Sequence, residues 1–189
     1  MKRVFIIHGW GGCPEEGWFP WLKKELEKRG FKVLIPQMPN AENPKIENWV
    51  PFLGKLVGKA DEETFFVGHS IGCQAIMRYF ETLPKNVKVG GVVFVAGWFN
   101  LIGLGGEEKL IAKPWIETPI SLAKVILHMK KFVAIFSDND PFVPFSDSEI
   151  FREKLGAKII VEKEKEHFSG EDGINELPSA LKAVLELSK

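Results

Sequence analysis

The sequence predicts an α/β fold: a doubly wound, mostly parallel sheet of about six strands with helices on both faces, in one domain over residues 1–189. Three observations carry that expectation. Short apolar, β-rich runs alternate with longer segments of helical period. The runs are apolar at successive positions, which is what a strand covered by helices on both faces needs. A chain of 189 residues that is 45% hydrophobic, with 15 Phe and 6 Trp, has enough apolar mass for one sizeable core.

Taken in chain order, Val4-Phe5-Ile6-Ile7 reads as the first strand and 18–29 as the first helix. Lys32-Val33-Leu34-Ile35 is the second strand, and 46–58 has the next helical period. Residues 64–67 form a third strand, running straight into a helical pattern over 71–83. Val92-Val93-Phe94-Val95 is followed by a long connection with a helix at 121–128, then by a strand at 132–136 and a helix at 146–155. A last strand at 158–161 precedes a helix over 175–187. The connection between about residues 96 and 132 holds one helix and a loop, too little for a full cap domain. In that loop Gly103, Gly105 and Gly106 fit either a mobile flap or an ordinary surface turn. In such a sheet the loops leaving the carboxyl ends of the strands gather on one edge, where the chemistry should lie.

The junction of the third strand and its helix reads Phe65-Phe66-Val67-Gly68-His69-Ser70-Ile71-Gly72-Cys73. A Gly-x-Ser-x-Gly between a buried strand and a helix is a nucleophile elbow. The turn projects the serine hydroxyl above the sheet, with the positive helix N-terminus behind it. Gly68 and Gly72 belong where strand and helix pack too closely for a Cβ. The blander reading makes Ser70 a helix cap. A nucleophilic serine needs a base and a group to orient that base. Of four histidines, His8 ends the first strand and reads as structural, His69 lies inside the elbow pointing away from Ser70, and His128 sits at a helix end. His167 follows the last strand in Lys165-Glu166-His167-Phe168-Ser169-Gly170, so it emerges on the same edge as Ser70 and is the expected base. The orienting acid is expected after the preceding strand, in Ser137-Asp138-Asn139-Asp140-Pro141. Asp140 is the first choice because Pro141 holds it extended, and Asp138 is the reserve. The carboxylate left over would be a turn-former bonded to its own backbone. Two oxyanion donors complete the set: the backbone N–H of Ile71, and that of Trp10 in His8-Gly9-Trp10-Gly11-Gly12. Cys73, one turn beyond Ser70, is a weak rival nucleophile.

Other chemistries fit poorly. Lys+Arg and Asp+Glu both number 25, and no basic run is longer than local pairs such as Lys23-Lys24 and Lys130-Lys131, so no footprint for nucleic acid or anionic lipid is expected. Gly9-x-Gly11-Gly12 lacks dinucleotide spacing, and Pro14 stands where the helix would begin. An EF-hand starting at Asp138 fails at Val143, where a glycine is needed, and at Pro141 and Pro144. Cys13 and Cys73 have no metal-ligand spacing. Neither metal nor cofactor is expected, since Ser70, His167 and two backbone donors supply nucleophile, base and anion stabilisation. The chain opens Met-Lys-Arg and enters a strand at once, and no apolar stretch approaches membrane-spanning length; a cytoplasmic protein with free thiols is expected.

Nearly the whole chain resembles the α/β-hydrolase superfamily, and within it the small lidless retinoblastoma-binding-protein-type, or YdeN-like, serine hydrolases. The resemblance rests on Gly17-Trp18-Phe19-Pro20-Trp21-Leu22-Lys23-Lys24-Glu25-Leu26, Met38-Pro39, Trp49-Val50-Pro51-Phe52, Gly68-His69-Ser70 with Met77-Arg78-Tyr79, Lys113-Pro114-Trp115, Asp140-Pro141-Phe142-Val143-Pro144 and His167-Phe168. It implies a single-domain α/β-hydrolase with Ser70 as nucleophile, Asp140 as acid and His167 as base. The vertebrate member's Leu-x-Cys-x-Glu motif for pocket proteins is lacking: the corresponding stretch reads Leu56-Val57-Gly58-Lys59-Ala60-Asp61-Glu62, so that partner does not carry over. The expected activity is cleavage of small carboxylic esters, or of amides or thioesters, through an acyl-enzyme. A non-catalytic interaction module on the same scaffold is the alternative. Trp98, Phe99, Trp115, Phe142 and Phe168 are candidates for the walls of an apolar substrate pocket, or for ordinary core.

Overall fold

The computed structural model of the protein describes residues 1–129 and 131–189. Lys130, half of the second basic pair, lies outside them. Six strands, β1 (Arg3–Ile7), β2 (Lys32–Leu34), β3 (Thr64–His69), β4 (Gly91–Val95), β5 (Phe132–Ser137) and β6 (Lys158–Glu162), form one sheet in the order β2-β1-β3-β4-β5-β6. Every pairing is parallel. All residues of β3, β4 and β5 are buried, which accounts for their unbroken apolar runs. The edge strands are different: β2 and β6 are partly exposed, and Val161 of β6 is 46% exposed.

The helices are α1 (Phe19–Glu27), α2 (Ile46–Val57), α3 (Ile71–Glu81), α4 (Gly106–Glu117), α5 (Leu122–Leu127), α6 (Asp147–Leu155) and α7 (Pro178–Leu187). On one face α1 packs with α7 and both reach the sheet; on the other, α2, α3, α5 and α6 pack in succession. The central helix α3 is buried from Ile71 through Phe80, so its sequence is apolar nearly all round. Among the aromatic side chains removed from water are Phe5, Phe66, Phe80 and Trp49, each contributing about 1.5–3 kcal/mol by burial.

Two differences from the sequence reading have physical causes. Residues 106–117, taken as loop, form α4. The triple-glycine approach and Pro114 hide the helix, but the Glu108 carboxylate accepts the Gly105 N–H at 2.6 Å and closes its first turn. Trp115 anchors its far end, with Nε1 donating to the Pro44 carbonyl at 2.9 Å. The last helix starts at Pro178 rather than at 175, because the proline holds Leu177 out of helical geometry (φ −136°, ψ 79°).

The chain leaves β1 for β2 on one side and returns to β3 on the other. The crevice above the carboxyl ends of β1 and β3 is therefore the topological switch point of the sheet. Register sets these ends level: Ile7 is opposite Gly68, and His69 opposite Val95.

Candidate active site

Ser70 stands at that switch point with φ 51° and ψ −120°, a left-handed conformation that costs a non-glycine residue on the order of 1–3 kcal/mol. The elbow is held by Ser70 N–H donating to Val95 O and Cys73 N–H donating to Ser70 O, both at 2.9 Å. Its two glycines are required by approach: a Cβ on Gly72 would lie 2.4 Å from Ile7 O, and one on Gly68 would lie 2.9 Å from both Cys73 N and Cα. The serine side chain makes no capping bond to α3. Its Oγ lies instead 2.9 Å from His167 Nε2.

His167 comes from the loop after β6, and Asp140 from the loop after β5. The Nδ1 atom of His167 is 2.9 Å from Asp140 Oδ2 and 3.1 Å from Oδ1. A carboxylate only accepts, so Nδ1 carries the proton and the bare Nε2 accepts from the Ser70 hydroxyl. Side-chain exposure is 15% for His167 and 3% for Asp140, leaving the imidazole as the more accessible of the two. Asp140 Oδ1 also accepts the N–H groups of Phe142 and Val143, both at 2.9 Å, so the carboxylate facing His167 is itself the turn-former. Asp138 is not bonded to its own turn as expected; its Oδ1 reaches across to accept the Glu164 N–H at 2.9 Å.

The other three histidines are engaged elsewhere than with Ser70 Oγ. His8 is buried, with Nδ1–H donating to Gly9 O at 2.8 Å and Nε2 accepting the Met38 N–H at 3.0 Å; burial lowers its pKa. His128 Nδ1 donates to Val87 O at 2.9 Å. His69 packs edge-on against Trp18 and Phe19, and burial, followed by the neighbouring His167, pushes its pKa down to about 3. Burial also pushes the Cys73 thiol up, which removes it as a nucleophile at neutral pH.

The family model described as serine hydrolase matches residues 4–186. The chain belongs to the serine hydrolase family. It is 32% identical over 177 residues to YdeN of Bacillus subtilis (strain 168), covering 94% of this chain and 91% of that one. Serine hydrolase RBBP9 of Rattus norvegicus is 28% identical over 186 residues, covering 97% and 95%. The crystal structure of the B. subtilis ydeN gene product superposes with a TM-score of 0.91 at 30% identity, covering 99% of this chain and 98% of that one. The protein is thus an enzyme of the serine hydrolase type on an α/β-hydrolase fold.

Around Ser70 of this serine hydrolase, the Gly9–Gly12 loop runs close to the elbow: a Cβ on Gly9 would lie 3.5 Å from Ser70 Cβ. Trp10 is pinned by its indole N–H to Glu42 O at 2.9 Å, and Gly11 N–H to Ala41 O braces the same loop. The expected pocket residues separate into two groups. Trp98, Trp115 and Phe168 are 1%, 1% and 0% exposed and belong to the core, a correction to their reading as pocket walls. Phe168 and Trp115 are fixed there by hydrogen bonds, from Trp18 Nε1 to Phe168 O and from Trp115 Nε1 to Pro44 O. Phe99 is half-buried against Phe151, and Phe142 is 36% exposed with its ring edge-on to His167 at 5.3 Å between centroids. An apolar groove of about 720 Å³ opens between Leu101, Ile102 and Leu104 and the α4 residues Leu110, Lys113 and Ile116. None of Ser70, Asp140 and His167 lines it, though Ile102 N–H donates to Phe142 O on its rim.

The sequence reading missed how the loop carrying His167 is held. Glu164 N–H donates to Asp138 Oδ1, Lys165 N–H to Ser137 Oγ and Glu166 N–H to Asn139 Oδ1, at 2.9, 3.0 and 3.0 Å. Asp172 accepts the N–H groups of His167 and Ser169 at 3.1 and 2.8 Å. Three non-glycine residues of this loop, Glu164, Glu166 and Phe168, have positive φ, a shape that needs such external support. The run Ser137-Asp138-Asn139 was the available signal, since short polar side chains are the ones that bond nearby backbone.

Proposed function

We propose that this serine hydrolase cleaves small carboxylic esters, and by the same acyl chemistry amides or thioesters, with Ser70 as nucleophile, His167 as base and Asp140 as the acid that orients it. The observation that carries this reading is the unbroken chain from Ser70 Oγ to His167 Nε2 and from His167 Nδ1 to Asp140 Oδ2, with 2.9 Å at each link. Ser70 attacks the substrate carbonyl while its proton passes to His167 Nε2, and Asp140 stabilises the resulting imidazolium. The N–H groups of Ile71 and Trp10 receive the developing oxyanion, each such donor being worth about a hundredfold or more in rate. His167 then gives the proton to the leaving group, and a water activated by the same imidazole releases the acid from the acyl-enzyme. Small substrates are favoured because the candidate wall residues Trp98 and Phe168 are closed off in the core, and none of Ser70, Asp140 and His167 lines the large groove.

The test is fluorophosphonate labelling together with an ester panel of increasing acyl length. Wild-type protein should label and turn over the short esters best. Ser70→Ala should lose both labelling and turnover with an unchanged circular dichroism spectrum, whereas Cys73→Ala should keep most activity. Undiminished turnover by Ser70→Ala would sink the mechanism.

A further inference from the structure

His69 precedes Ser70, packs against Trp18 and Phe19, and is 3% exposed. Its Nε2 atom lies 2.7 Å from the backbone carbonyl oxygen of His167, and the two imidazole rings are 5.1 Å apart. A carbonyl only accepts, so Nε2 carries the proton. The opposite nitrogen, Nδ1, is buried with no hydrogen-bond partner, against Gly9, where an added Cβ would lie 3.0 Å away. That arrangement suits a neutral ring, in agreement with a pKa pushed down to about 3 by burial. The other side of the same residue is also gripped, since the His167 N–H donates to Asp172 Oδ2.

We infer that His69 is a positioning residue: from inside the elbow it fixes the main chain of His167, so that nucleophile and base are referenced to one another through adjacent residues of β3 and α3. The loop around His167 has three strained φ angles; Asp172 and the side chains of residues 137–139 hold its amides, and losing the bond to the His167 carbonyl would let that peptide shift within their hold, carrying the imidazole with it. A small displacement is enough, because an error of about 1 Å in a catalytic group can cost about a hundredfold in rate. This inference rests on the proposed roles of Ser70 and His167.

His69→Phe keeps a ring of similar size in the Trp18–Phe19 pocket and removes the donor. His69→Gln places an amide N–H near the former Nε2, while the shorter amide of His69→Asn does not reach. Steady-state kinetics on a short ester should show kcat lowered about ten- to a hundredfold in His69→Phe and His69→Asn, with KM within about twofold, and most of the loss recovered in His69→Gln. Unchanged kcat in His69→Phe overturns the inference. So does a loss that His69→Gln fails to recover and that follows the melting temperature in every variant, for that assigns His69 to packing alone. Ser70→Ala, measured alongside, keeps the two readings apart. If that variant is inactive, a normal His69→Phe defeats only the positioning role; if it is active, the Ser70 mechanism itself fails.

Discussion

Asp138 and Asp140 are two residues apart and chemically identical, yet the fold gives them separate tasks. Asp140 accepts from His167 Nδ1 and from two turn amides, whereas Asp138 accepts one amide of the neighbouring loop. Asp140→Asn would present an amide N–H to His167 or favour the wrong imidazole tautomer, and kcat should fall about 10³–10⁴-fold. Asp138→Asn retains an oxygen for the Glu164 N–H, so its loss should stay within about tenfold. Ester kinetics on the purified pair check this, and the reverse ranking would show the two roles to be exchanged. That Asp140 rather than Asp138 faces His167 was legible because a residue before proline is conformationally restricted and because each candidate residue follows a strand ending on one edge. The bond from His69 to His167 was not legible. Its partners are 98 residues apart, and only the register of β3 against β1 and β4 decides where the histidine inside the elbow points.

At the scale of elements, all six strands follow from the sequence because buried parallel strands are written as unbroken apolar runs. The helix α4 does not, since its amphipathic signal is weak and its stability comes from tertiary contacts. Those contacts converge on Arg78 of α3. This buried guanidinium donates to Trp115 O and Thr118 O, both at 2.8 Å, and stands 5.7 Å from the Trp115 ring centroid. It therefore neutralises the negative carboxyl end of α4 while holding it to the core. Arg78→Met keeps much of the apolar stem and removes the donors. Charged hydrogen bonds of this kind are worth about 1.5–3 kcal/mol, which in a chain of this length lowers the melting temperature by roughly 5–10 °C. Limited proteolysis of Arg78→Met should cut first within 98–118, and a cleavage pattern identical to wild type would show that α4 is anchored by other means. Trp98 and Trp115 read as pocket candidates in sequence for the same reason that α4 was hidden: aromatic side chains in a glycine-rich segment give no sign of which face they will bury.

Across the whole molecule, two neutral buried histidines tie stability to pH. His69 and His8 have pKa values lowered from 6.5 in the folded protein, His69 to about 3, with burial the leading cause in both. Unfolded, both revert to ordinary histidines and take up protons below about pH 6.5. The unfolded chain then binds more protons than the native one, so unfolding free energy falls as pH falls. This contribution is fully present above pH 6.5 and is lost progressively on acidification, for His69 down to its folded value of about 3. Between about pH 7.5 and about pH 5.5, His69 alone should cost about 1.4 kcal/mol in total, most of it below pH 6.5. Urea unfolding at the two pH values measures the change, because it reads stability without reference to turnover. His69→Phe should lose about 1.4 kcal/mol less than wild type over that interval, whatever its stability at the upper pH, because phenylalanine takes up no proton in either state. Parallel losses in the two proteins would show that His69 does not titrate on unfolding and that the acid sensitivity of the fold arises elsewhere.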